Sequence, residues 1–285
     1  MKVPLKTLRL QPTRATTAPD QIVREFAVGT DAEIPARGTP PQDIASELRT
    51  LEDKLARSLN TLAMHFQPIV HATSRSRFGY EALLRTTDKS LPHPGAVLDA
   101  AERLERIPSL SRAIRAQVAR VVGESPAERG LVFLNLHLLD FADKQLTSAF
   151  APLTRVAPRI VLEITERTSL SGQSDIRYQV AELRERGFKI AIDDLGGGHA
   201  RMGTFSPLDT DFVKLDMALV RDIDKQPMKQ RLVRSVIELC RDNGTLVIGE
   251  GVETEAEAQT LVELGCDLLQ GYLLARPALP FCDPL

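Results

Sequence analysis

With 285 residues, 43% of them hydrophobic and 26% charged, the chain exceeds the ~100–150 residues of an average domain, and its apolar content excludes a disordered chain. A net charge of −2, from 36 Lys+Arg against 38 Asp+Glu, supplies no global positive field, so long nucleic acid is excluded as the partner. No window approaches the ~18 apolar residues of a membrane span, so no membrane insertion is expected, and three scattered cysteines, Cys240, Cys266 and Cys282, fit a reducing cytoplasm rather than a disulfide scaffold.

Residues 1–41 hold Pro4, Pro12, Pro19, Pro35, Pro40 and Pro41 among small and charged residues, which predicts a flexible N-terminal tail with at most a short helix over Asp20–Phe26. Its basic start lacks the apolar stretch of a secretory signal. An amphipathic connector helix follows over 42–63, where Ile44, Leu48, Leu51, Leu55, Leu59 and Leu62 recur at three- and four-residue steps. That seam can pack on the next domain or pair with a second copy, and residues 1–60 could also meet a protein partner.

Short apolar runs then alternate with helical patterns. The strand candidates are Phe66–Val70, Arg77–Leu84, Leu131–Leu136, Ile160–Ile164, Phe188–Ile192, Phe212–Leu215, Leu246–Ile248 and Leu268–Tyr272; the helices between them include Ala100–Val122, Arg177–Arg186, Lys229–Asn243 and Glu255–Leu264. This alternation predicts an α/β chain folded as a TIM-like (β/α)8 barrel over 64–285. The segment His71–Arg77 is shorter than the ~10–12 residues of a helical crossover, so the first strand should be antiparallel to the second.

Polar residues stand at or near the strand ends: Glu81, Asn135, Glu163, Asp193 with Asp194, Lys214, Glu250 and Gln270. A barrel gathers its strand ends at one rim, so these residues converge although they are distant in sequence. The run Ile190–His199 is the sharpest case, because an apolar strand stops on Asp193 and Asp194 and dissolves into Gly196, Gly197 and Gly198. Carboxylates and one amide oxygen are hard ligands suited to Mg²⁺ or Mn²⁺, and no cysteine and histidine set suggests zinc. Two such ions would clamp a phosphodiester and acidify a water, with Lys214 stabilising negative charge.

The motifs Tyr80-Glu-Ala-Leu-Leu-Arg85, Leu162-Glu-Ile-Thr-Glu166, Ile192-Asp-Asp-Leu-Gly196, Asp211-Phe-Val-Lys-Leu-Asp216, Glu250-Gly-Val-Glu-Thr254 and Gln270-Gly-Tyr272, together with Gln67-Pro68-Ile69 and Asn135-Leu136, resemble the EAL family of cyclic-di-GMP phosphodiesterases. The resemblance runs from Phe66 to Pro277. It implies hydrolysis of cyclic-di-GMP to linear pGpG with two Mg²⁺ or Mn²⁺ ions, one held by Glu81, Asn135, Glu163 and Asp193 and a second by Asp193, Asp194 and Glu250. Lys214 then resembles the lysine that holds the nucleophilic water and Glu250 a carboxylate assigned as its base. Arg85 would meet a phosphate, Gln67, Glu253 and Gln270 would line the guanine or metal-water surroundings, and Glu166 would anchor the loop after Asp194. A homodimer paired beside that loop is also implied.

Departures from the family pattern stand at Gly197, His199, His137 and at Asp209, which replaces a usual proline. Gly197 and His199 stand where the family usually has threonine and an aromatic, which predicts a looser loop, slow turnover and a high metal requirement. His137 stands where a serine is common. A catalytically weak cyclic-di-GMP receptor is the alternative function.

Overall fold

The computed structural model describes residues 41–165, 174–196, 210–279 and 281–283. The expected helix Asp20–Phe26, Glu166, and the loop carrying Gly197, Gly198 and His199 lie outside the described residues.

Eight strands close a barrel in chain order: β1 (Leu62–His71), β2 (Arg77–Thr86), β3 (Leu131–Asn135), β4 (Ile160–Thr165), β5 (Lys189–Leu195), β6 (Phe212–Leu215), β7 (Leu246–Gly249) and β8 (Leu268–Leu269). β1 is antiparallel to both β2 and β8, and the other neighbours are parallel. The reversal follows from the short turn between β1 and β2, in which Arg75 takes φ 58° and donates its N–H to His71 O at 2.9 Å. Close approach of β2 to β3 depends on Gly79, where a Cβ would lie 2.5 Å from Leu131 O.

The described helices are α1 (Pro41–Asn60), α2 (Pro94–Arg103), α3 (Ile107–Glu124), α4 (Ser174–Glu185), α5 (Met217–Val220), α6 (Pro227–Asp242) and α7 (Glu255–Leu264). Three expected boundaries move. Ala100–Val122 is not one helix: Glu105 turns to φ 55° after α2, and Pro108, which has no N–H to lose, sits in the first turn of α3. The last strand stops at Leu269 rather than Tyr272, because its ladder partners are two residues each on β1 and β7. Leu62 belongs to β1 and not to the helix, since α1 ends at Asn60 and Thr61 N–H turns back to Arg57 O at 3.2 Å.

Period-two alternation sorts the strand residues into two layers. Ile69, Phe133, Val161, Ala191, Phe212, Ile248 and Leu268 fill the barrel interior. Their neighbours, such as Val132, Leu134, Leu162, Ile190, Val213 and Val247, face the helices outside. Leu51, Leu55 and Leu59 of α1 pack with Val97, Ala101, Ile107 and Leu110 of α2 and α3, and Arg57 Nε reaches Asp88 Oδ2 at 3.1 Å. Most of the α1 seam is therefore consumed within the chain, while Leu48 stays 37% exposed.

A buried ionic group ties α3 to the segment that follows β3. Arg115 on α3 reaches Asp140 Oδ1 at 2.6 Å and Asp143 Oδ2 at 2.5 Å, and Arg112 contacts both Asp143 oxygens at 2.9 and 3.0 Å. The hydrogen bond from Arg112 lowers the Asp143 pKa from 3.8 to about 2 against the opposing effect of burial. Because the folded value lies below the unfolded one, this stabilisation is complete above about pH 4 and is lost as pH falls through about 2. Arg115→Ala leaves Asp140 and Asp143 buried with less compensation and should cost about 3–5 kcal/mol at neutral pH in urea denaturation, the gap to the parent narrowing toward pH 2; a cost under about 1 kcal/mol would show that water reaches these carboxylates.

Candidate active site

The interior apolar layer determines where the polar residues go. Two positions beyond Phe133, Val161, Ala191, Phe212, Ile248 and Leu268 stand Asn135, Glu163, Asp193, Lys214, Glu250 and Gln270, so each shares its strand face with an interior residue. Glu81 stands two beyond Gly79 in the same way. On the reversed strand the offset changes sign: Gln67 lies two before Ile69 and is paired in register with Glu81. A single ring of polar side chains thus caps the apolar interior.

Asp193 and Asp194 are consecutive, and in a regular strand they would face opposite ways. A bulge removes the conflict. Ile192 pairs with Val213 and Leu195 with Leu215, so three steps on β5 oppose two on β6. Asp194 takes the left-handed conformation at φ 59°, which aspartate tolerates better than most residues. As a result Asp193, Asp194 and Glu250 each present an oxygen, all within 4.8 Å of one another.

Lys214 is at the centre, 1% exposed. Its Nζ lies 2.6 Å from Glu163 Oε1, 2.7 Å from Glu250 Oε1, 3.2 Å from Asp193 Oδ1 and 3.6 Å from Glu81 Oε2. Amides complete the ring: Asn135 Nδ2 donates to Glu81 Oε1 at 3.1 Å, and Gln270 Nε2 donates to Glu81 Oε2 at 2.7 Å and Gln67 Oε1 at 3.2 Å. Gln67 Nε2 in turn donates to Ala275 O at 3.1 Å.

Charge is out of balance here. Burial pushes Glu163 well above the ordinary carboxylate range; Lys214 opposes that shift, and Glu81 and Asp193 add to it. The same causes push Glu250 up to about 8. Asp194 is raised too, by burial first and then by Asp193 and Asp216. Burial alone would lower Lys214, but Glu163, Glu250, Glu81 and Asp193 together outweigh it and hold the ammonium well above its usual value.

This chemistry fits a divalent cation. Glu163 Oε2 and Gln270 Oε1 are buried and have no hydrogen-bond donor among the described residues. Glu163 Oε1 and Asp193 Oδ1 are met by the Lys214 ammonium, at 2.6 and 3.2 Å. Buried oxygens with spare lone pairs and excess negative charge are what a hard cation satisfies. Glu81, Asn135, Glu163, Asp193, Asp194 and Glu250 could all contribute.

A cleft of about 270 Å³ opens above the ring, lined in part by Gln67, Glu81, Leu83, Glu250, Glu253 and Gln270. Glu253 is gripped at its wall by Arg221, with contacts of 2.5 and 2.6 Å to its two oxygens. Arg85 stands two residues beyond Leu83 on the same face of β2, and its Nη1 donates to Leu84 O at 2.7 Å. Asp216, Met217 and Tyr272 also line the cleft but were not picked out from the sequence. Asp216 and Tyr272 stand at the ends of the motifs Asp211–Asp216 and Gln270–Tyr272 but had no role assigned, and the thioether of Met217 carries no chemical signature.

The EAL domain family model matches residues 49–277. Cyclic di-GMP phosphodiesterase PA2567 of Pseudomonas aeruginosa is 29% identical over 259 residues, covering 86% of this chain and 44% of that protein. The chain spans less than half the length of the curated relatives it matches. Among solved structures, the c-di-GMP complex of the PaMucR phosphodiesterase of Pseudomonas aeruginosa has a TM-score of 0.72 at 28% identity, over 80% of this chain and 97% of that one. The manganese and c-di-GMP complex of Klebsiella pneumoniae BlrP1 has a TM-score of 0.66 at 28% identity, over 76% and 56%. Matched across most of its length, and folded as these structures are, the chain belongs to the EAL domain family.

Proposed function

We propose that this chain hydrolyses cyclic-di-GMP to linear pGpG with Mg²⁺ or Mn²⁺, and that two ions serve the reaction. The observation that carries this is the ring of Glu81, Glu163, Asp193 and Glu250, four carboxylates gathered around the single ammonium of Lys214. Glu81, Asn135, Glu163 and Asp193 would hold one ion, and Asp193, Asp194 and Glu250 the other. When bound, the ions supply Lewis-acid polarisation of phosphate oxygens and acidify a water.

The chain's own groups do the rest. Lys214, fixed among four carboxylates, presents a preorganised positive charge to the phosphoryl oxygens as charge builds on them and steadies the attacking water. Glu250, 2.7 Å from Lys214 Nζ at the edge of the cleft, is placed to accept a proton from that water. Arg85 keeps most of its N–H groups after its bond to Leu84 O and would fork onto a phosphate. Gln67, Glu253 and Gln270 would face a guanine edge or the metal-water shell, and Met217 and Tyr272, each about half exposed, offer apolar surface to a base. Glu166 retains its proposed part as anchor of the loop after Asp194.

A cytoplasmic site of action fits the nucleotide; among the described residues no helix is long and apolar enough to cross a membrane. Residues 1–60 remain the surface proposed for a protein partner. Since Leu51 and Leu55 pack inside the chain, the proposed homodimer pairs through the barrel beside the Asp194 loop.

Three outcomes test this. Glu81→Ala should abolish pGpG formation followed by chromatography, since it removes a charged ligand and strands the amides of Asn135 and Gln270; unchanged product would reject the site. Arg85→Ala should weaken cyclic-di-GMP binding at least about tenfold by calorimetry with thermal unfolding unchanged, and parent-like affinity would turn Arg85 away from the ligand. Light scattering at micromolar concentration should give a dimer; a strict monomer removes the barrel-mediated pairing.

A further inference from the structure

We infer that His137 is a positioning residue for Asn135, acting through a cap built on the turn directly after β3. The inference rests on Asn135 being a metal ligand.

Asn135 is exposed, and among the described residues its side chain has one hydrogen bond, to Glu81. Its aim therefore depends on the backbone around it. Upstream, β3 holds it in the ladder opposite Glu163, and Leu136 N–H still pairs with Glu163 O at 2.9 Å. Downstream the chain leaves the sheet at once.

His137, extended at φ −81° and ψ 149°, is the N-cap of a short 3-10 turn over Leu138–Ala142. Its Nδ1 accepts the Leu139 N–H at 3.1 Å, while Asp140 Oδ2 accepts the His137 N–H at 2.9 Å. The two bonds are reciprocal, so each satisfies a donor the turn would otherwise leave orphaned. Asp140 is 2% exposed and is itself fastened to α3 by Arg115 at 2.6 Å.

Burial cannot replace this cap at the start of the turn, because Leu138 and Leu139 are 43% and 49% exposed. An accepting Nδ1 places the ring proton on Nε2, which faces Glu102 Oε1 of α2 at 3.7 Å. The imidazole thus does what a serine hydroxyl could do as a cap and also reaches a second helix. Losing it frees the segment that sets the Asn135 backbone, with Asn135 touching nothing new.

The test is a double-mutant cycle on the full chain, with Mn²⁺ affinity read by calorimetry and folding by metal-free thermal unfolding. His137→Ala should weaken Mn²⁺ binding about tenfold, whereas His137→Ser, which restores a capping oxygen, should stay within about twofold of the parent. In an Asn135→Ala background, His137→Ala should have no further effect on Mn²⁺ affinity. Parent-like binding by His137→Ala, equal loss in His137→Ser, or an undiminished effect in the Asn135→Ala background would each overturn the inference. A parent protein that binds no Mn²⁺ would instead overturn the metal assignment beneath it.

Discussion

The structure depends on one lysine being kept charged in a buried position. Lys214 is tolerable at the barrel's centre because Glu163 and Glu250 lie within 2.7 Å and Asp193 and Glu81 stand close behind. Those carboxylates are equally untenable without a cation, as the raised Glu163 and Glu250 indicate. Neither sign of charge could be buried alone, and five strands must deliver their ends to one point for the set to exist.

The apolar layer beneath makes that delivery accurate. Phe133, Val161, Ala191, Phe212 and Ile248 interlock inside the barrel, and the next inward position on each strand is a site residue. A slip of one residue on any strand would turn its site residue toward the helices, and on β3, β4 and β6 it would place an aliphatic side chain in the ring. Packing density in the interior and placement of the functional groups are therefore the same constraint seen at two heights.

This explains what was legible in the chain. Strand ends carrying acids and an amide were visible because period-two alternation is written in the sequence, and closure of the sheet brings such ends together whatever the loops do. The bulge at Asp194 was not visible, since adjacency of two aspartates says nothing of φ. The break between α2 and α3 was hidden in a continuous helical pattern, although Pro108 marked it. Arg221 gripping Glu253, and Met217 and Tyr272 at the cleft, come from segments of the chain that meet only after folding. The leucine seam of α1 had two solutions in sequence, and packing against Val97, Ile107 and Leu110 takes up most of it.

The reversal of β1 also sets the direction from which the barrel is entered. In a barrel of uniformly parallel strands the chain arrives at the end remote from the reactive groups; here Leu62 begins β1 at the rim where β2 finishes, and Thr61 Oγ1 lies 3.2 Å from Thr86 Oγ1, one residue past Arg85. The last turn of α1 is thus a doorpost of the candidate site's rim. A twist or pull on that helix passes through Thr61 into β1 and, across the Thr61–Thr86 contact, to the Arg85 end of β2.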